Sequence, residues 1–112
     1  MKIAIPIANG KLTMHFGHCQ SFVFLEANEA EKSVQLLEEL TPPPHEPGVL
    51  PRWLGEQKVD VIIAGGMGQR AQQLFSGQGI QVIVGAPAEE PEALAKAFLN
   101  GTLQSGANAC DH

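Results

Sequence analysis

Apolar residues recur along this chain with two different periods. In "KIAIPI" Ile3, Ile5 and Ile7 alternate, which predicts a strand. Pro6 lacks an N–H for a ladder, so it belongs near a strand end or a bulge. "SFVFLEA", rich in aromatic and β-branched residues, predicts a second strand. "EAEKSVQLLEEL" is in conflict. Ala30, Val34 and Leu37 have helical spacing and good helix formers around them, yet Val34 and Leu36 also alternate. A polar turn over residues 28–31 would make that segment a hairpin partner, but local propensity favours a helix. "TPPPHEPG" reads as a stiff extended loop. A helix over residues 49–57 follows, with Pro51 in its first turn and Trp53 and Leu54 facing inward. "VDVIIAGG" predicts a buried strand, "MGQRAQQLFSGQG" a helix and "IQVIVG" another buried strand. "EEPEALAKAFLNG" predicts a last helix, acidic at its start and stopped at Gly101, with Leu94 and Phe98 on one face. The remainder reads as an irregular tail. An α-β-α-β-α second half implies parallel strands with right-handed crossovers. With an antiparallel first half, the expectation is a mixed sheet with helices on both faces.

A chain of 112 residues is one domain and long enough to fold without a staple. Its net charge of −5, with seven scattered Lys and Arg, argues against a nucleic-acid surface. No apolar run approaches the ~20 residues of a membrane helix. The apolar stretch at the N-terminus is too short for a signal peptide, so the expected location is the cytoplasm, where thiols stay reduced. The two cysteines, Cys19 and Cys110, each have a histidine nearby in sequence, which favours metal over a disulfide.

All the soft ligands fall outside the predicted elements: His15, His18, Cys19, His45, Cys110 and His112. A single loop histidine such as His45 is ordinarily a surface residue and nothing more. "HFGHC" carries more weight, because Gly17 lets the chain bend so that His15 and His18 converge, and "CDH" at the end repeats the chemistry. Imidazole with thiolate suits zinc, copper, iron or iron–sulfur species and disfavours magnesium and calcium. The run "GGMGQRA", Gly65 to Ala71, follows a strand, opens a helix and fits G-x-G-x-x-A. However, the next strand ends without the acid a dinucleotide ribose requires, and the chain is too short for both halves of such a fold. An anion nest at the helix N-terminus and simple close packing of helix on strand both stay open. No serine lies in a nucleophile elbow, and no carboxylate pair is indicated.

Taken together, "MKIAIPI", "HFGHC", "HEPGVLP", "VDVIIAGGMGQRA" and "ANACDH" resemble the NifX/NifB-type nitrogenase iron–molybdenum cofactor biosynthesis domain over essentially the whole chain. The resemblance implies a ribonuclease-H-like three-layer α/β fold. Its mixed five-stranded sheet has the order 3-2-1-4-5 with strand 2 antiparallel, which makes "KSVQLLEEL" an edge strand. The domain would span residues 1–103, with an irregular Cys/His tail over 104–112. Strands 1, 3, 4 and 5 would then end along one edge, around a crevice of the kind that holds ligands in open α/β sheets. The resemblance further implies a carrier of iron–sulfur or iron–molybdenum-type clusters, working with metallocluster donor and acceptor proteins. His15, Gly17, His45, Gly65 and Gly66 match the family's blocks, and His18 and Cys19 do so more loosely. Gly68 and Arg70 are candidates for holding an anionic cargo at the helix start. The chain lacks a Cys-x₃-Cys-x₂-Cys motif for radical chemistry and an acid on strand 1 for magnesium, so a carrier is expected rather than an enzyme. A single zinc or copper ion is the alternative cargo. A small-anion enzyme or sensor using the crevice histidines is the alternative function.

The tail generates a prediction. From Thr102 to Cys110 an extended chain reaches at most about 30 Å, enough to return along a strand of ~20 Å. Deleting residues 107–112 is expected to weaken metal retention, read by competition with a chelator, without moving the apo-protein's melting temperature. Unchanged retention removes Cys110 and His112 from the site.

Overall fold

A computed structural model of the chain describes residues 1–13, 19–44 and 48–103. The strands are β1 (Lys2–Ala8), β2 (Lys11–Leu12), β3 (Ser21–Asn28), β4 (Ser33–Leu40), β5 (Val61–Ile63) and β6 (Gln81–Ile83). The helices are α1 (Val49–Glu56), α2 (Gln69–Gly77) and α3 (Pro91–Asn100). One mixed sheet runs β4-β3-β1-β5-β6, and β2 pairs with β1 off that path. Strand β3 is antiparallel to both neighbours, whereas β1, β5 and β6 are mutually parallel.

The sheet has six strands, one more than expected. The extra one, β2, is made by the dipeptide Asn9-Gly10, with φ of 57° and 81°. Two residues at positive φ form the turn that matches strand twist in a two-residue hairpin. Ala8 therefore faces Lys11, and Ile7 faces Leu12.

Pro6 lies inside β1, paired with Phe22, rather than at its end. Its carbonyl accepts from the Thr13 N–H at 3.0 Å, so its nitrogen faces the same side. On that side β5 pairs only as far as Ala4, and β2 begins at Ile7. The missing N–H falls between two partners and leaves no ladder bond broken.

The layers follow from the alternation in β1. Ile3, Ile5 and Ile7 join Val23, Leu25 and Ile63 beneath Leu94, Ala95 and Leu99 of α3. On the opposite face Ala4, Phe22, Phe24 and Ile62 pack against Leu50 and Leu54 of α1 and Phe75 of α2. The small Ala4 leaves room for Phe22 and Phe24, and both rings meet Trp53 edge-on at 5.6 and 5.9 Å between centroids. Lys2 seals the amino end of that face, its Nζ 5.0 Å from the centre of the Phe24 ring and donating to the Gln57 carbonyl.

One expectation holds here and one changes. Residues 33–40 form the edge strand β4 that the family resemblance implied, and not the helix that local propensity favours. A bulge explains the misleading pattern. Leu25 faces Leu36 and Phe24 faces Glu38, so Leu37 is the extra residue and the strand changes face there. Val34 packs with the α3 side and Leu40 with the α1/α2 side. Strand β6, read as buried, is the other edge, with Gln81 exposed and Val82 and Ile83 half-buried.

This partition is testable. Leu54→Ala removes a fully buried side chain and is expected to cost about 2–5 kcal/mol. Leu36→Ala, on the exposed edge, should change stability by less than about 0.5 kcal/mol. Urea unfolding midpoints of the two variants check this, and equal losses would contradict the assignment of β4 as an edge.

Candidate functional site

Strands β1, β4, β5 and β6 share a direction, so their carboxyl ends lie along one edge of the sheet, together with the amino end of β3. Three loop segments meet there and are bonded to one another. The Ala64 N–H donates to the Ile83 carbonyl, that of Gly85 to Gly65, and that of Ala86 to Ala64, at 2.8–3.2 Å. These bonds continue the β5–β6 pairing past both strands and fix the glycine loop after β5. Leu12 N–H donates to Glu89 at 3.0 Å, which ties β2 to the loop before α3.

The glycine loop itself is graded in exposure. Gly65, Gly66 and Met67 are buried, whereas Gly68, Gln69 and Arg70 are exposed. Gly68 caps α2 without a side-chain bond. Gln72 closes the turn from within, its N–H on the Gly68 carbonyl and its Nε2 on that of Met67, at 3.1 and 2.9 Å. Among the described residues a Cβ on Gly68 would meet no atom within 4 Å, and its φ of −63° suits any residue. Close packing therefore does not account for Gly68. Among the described residues, the positive start of α2 is therefore uncovered at Gly68. Arg70, in the first turn, makes no ion pair among the described residues.

Cys19 enters this edge immediately ahead of β3. The neighbouring Gln20 N–H donates to the Ile7 carbonyl at 2.8 Å, which places Cys19 just past the carboxyl end of β1. Its half-buried side chain packs against the α1/α2-side cluster that also contains Met67. Burial pushes its thiol from an ordinary value of 9.0 to about 11, against the opposing pull of a backbone hydrogen bond. Cys19 is thus a neutral thiol at neutral pH, and metal ligation there requires loss of a proton.

Of the residues singled out by sequence, Cys19, Gly65, Gly66, Gly68 and Arg70 stand at this edge, or in the turn that rises from it. His15, Gly17, His18, His45, Cys110 and His112 lie outside the described residues. The residues that flank two of those segments, Thr13 with Cys19 and Pro44 with Gly48, follow β1 and β4. Among the described residues no three His, Cys, Asp or Glu side chains gather closely enough to hold a metal. The described donors therefore comprise one soft thiol and backbone N–H groups, a set that fits a sulfur-ligated, anionic group better than a hard cation. No described helix is long and apolar enough to cross a membrane. Sequence reasoning missed the loop-to-loop bonds through Gly65 and Gly85, for which the only signal was the glycine after each strand.

The dinitrogenase iron–molybdenum cofactor family model matches residues 1–101, and the chain belongs to that family. An uncharacterized protein of Methanocaldococcus jannaschii, MJ0580, is 33% identical over 107 residues, covering 93% of this chain and 90% of that one. The crystal structure of PH0822 superposes with a TM-score of 0.87 at 27% identity over the whole of both chains. The apo form of the orange protein from Desulfovibrio gigas shares the fold, with a TM-score of 0.71 at 21% identity over 96% of this chain and 93% of that one.

The thiol has a pH signature. Because the folded value lies above the unfolded one, the neutral form is favoured by folding. The associated stability is complete below about pH 9 and is lost as pH rises towards 11. In a Cys110→Ser background, alkylation of Cys19 by iodoacetamide is expected to stay slow at pH 8.5 and to accelerate towards pH 11. An inflection at or below pH 8.5 would show a thiol that burial does not govern.

Proposed function

We propose that this protein binds and carries a metallocluster of the iron–sulfur or iron–molybdenum cofactor-precursor type, as cargo and not as a resident catalytic group. One observation carries the reading. The soft thiol of Cys19 and the open, positive start of α2 at Gly68 occupy the same carboxyl edge of the sheet. A thiolate-ligated cluster is anionic while the chain itself carries a net −5, so binding needs local positive potential. The backbone N–H groups that open α2 supply it, and Arg70 adds an exposed charge in the first turn beside them. Cys19 supplies sulfur once deprotonated, and His15, His18 and His45 are the proposed further ligands, with Cys110 and His112 joining from the tail. Gly17 is the proposed point of flexibility between the first two histidines, and the buried Gly65 and Gly66 are proposed to lie behind the cargo. Membership of the cofactor family supports this reading, as does the absence from the sequence of a radical-cluster motif. Donor and acceptor proteins of cluster assembly are the proposed partners, the ribonuclease-H-like class the proposed fold label, and the cytoplasm the proposed location.

Arg70→Gln separates this reading from one in which the glycine loop is scaffold. A helix start and one exposed arginine are each worth ~1 kcal/mol towards an anion, together about thirtyfold in affinity. The variant is expected to fold normally, to lose part of that factor for a reconstituted iron–sulfur cluster, and to bind Zn²⁺ almost unchanged. Equal loss for both ligands, or for neither, would show that the histidines and thiols act without the helix start.

A further inference from the structure

On the α3 side of the same edge lies a second concavity, a cavity of about 280 Å³ between β4, the end of β1 and the start of α3. Its floor is apolar, formed by Ile7, Val23 and Leu36, and its rim carries Glu39, Glu90 and Glu92. Leu36 is 52% exposed, the most exposed large apolar side chain among the described residues. Glu90 and Glu92 have a structural reason to be there, since they cap and open α3. Glu39 does not. It comes from β4, across the groove, where the Ser21 hydroxyl donates to its Oε2 at 2.6 Å and fixes it. None of the three has an ion-pair partner among the described residues.

We propose that this groove docks a partner protein through one lysine or arginine side chain, with its aliphatic stem on Leu36, Val23 and Ile7 and its charge among the three glutamates. The chemistry selects that occupant. The carboxylates do not converge tightly enough to count as a metal-holding group, so a compact divalent ion is not the fit. An apolar floor with a separated acidic rim matches a long-stemmed organic cation instead. Charge complementarity and apolar contact thus point to the same ligand. The partner's role rests on the carrier reading. Ser21 follows Cys19 by two residues, so a protein seated on Glu39 stands next to the cargo edge, where a handover has to occur.

The groove is tested on the full-length, metal-free protein, so that its failure leaves the carrier reading untouched and failure of cluster loading leaves the groove untouched. Pentylguanidinium and its neutral isostere are titrated and followed by amide and methyl NMR shifts. Saturable shifts at Ile7, Val23, Leu36 and Glu39 are expected, stronger for the cation. A Glu39→Gln/Glu92→Gln double variant should bind roughly fivefold more weakly or worse, with the rest of its spectrum unchanged. The other acidic concavity, at Glu26 and Glu29 on the opposite edge, serves as an internal control and should not respond. Shifts spread over all acidic surfaces, equal response at the control, or no response would overturn the proposal. Sedimentation of the protein alone supplies the second arm. A monomer is expected, and a dimer abolished by Leu36→Ser would assign the groove to a second copy of this chain.

Discussion

Everything in this molecule depends on β1 being covered on both faces and paired on both sides. A strand in that position has no exposure to spare for polar side chains, and Ile3, Ala4, Ile5, Pro6 and Ile7 are all buried. Burial of this kind drives folding, and it also dictates where chemistry can be placed. Polar and ligating groups have to leave the covered strands, either for the edge strands or for the loops where strands end. The partner exchange along β1, from β5 to β2, is the structural consequence. It lets a proline occupy a central strand and brings the chain after Ala8 back along its own edge.

The same constraint explains why the proposed cargo edge and the proposed docking groove sit on different faces. The α1/α2 side receives the glycine loop and Cys19, because β5 feeds α2 directly past its carboxyl end. The α3 side receives Glu90 and Glu92, because the start of α3 returns to that edge beneath β1 and β3. The short segment of Cys19, Gln20 and Ser21 touches both. Gln20 is pinned to β1 through the Ile7 carbonyl, and Ser21 holds Glu39. Under the proposed carrier function, the groove proposed to recognise a recipient adjoins the edge proposed to hold the load.

Much of this was legible in the sequence, and the gaps have physical causes. The helices announced themselves by spacing and by Pro91 and Gly101 at the ends of α3. Strand β4 did not by local pattern, and only the family resemblance supplied it, because the extra residue Leu37 shifts its apolar positions from one face to the other and leaves a pattern that mimics a helix turn. The Asn9-Gly10 pair was a readable hairpin signal for β2 and went unused. Strand β6 read as buried because valine and isoleucine dominate it, although neither side of an edge strand has to be fully covered. At the site, the glycine run could be located but its meaning could not. The open space beside Gly68 removes close packing as the explanation for that glycine, while Gly65 and Gly66 are buried. The raised thiol of Cys19 comes from partial burial against a cluster drawn from β1, β3, α1, β5 and α2, which no local pattern encodes.

The central claim is that the carboxyl edge on the α1/α2 side holds the cluster, and paramagnetic NMR tests it most directly. After anaerobic reconstitution with iron and sulfide, an unpaired-electron centre broadens amides within reach and leaves distant ones sharp. The account predicts broadening of Cys19, Gly65, Gly66 and Gly68, with Lys2, Asn28 and Lys58, at the opposite edge, unaffected. Broadening centred on that opposite edge, or no specific broadening in protein that has demonstrably taken up iron and sulfide, would contradict it.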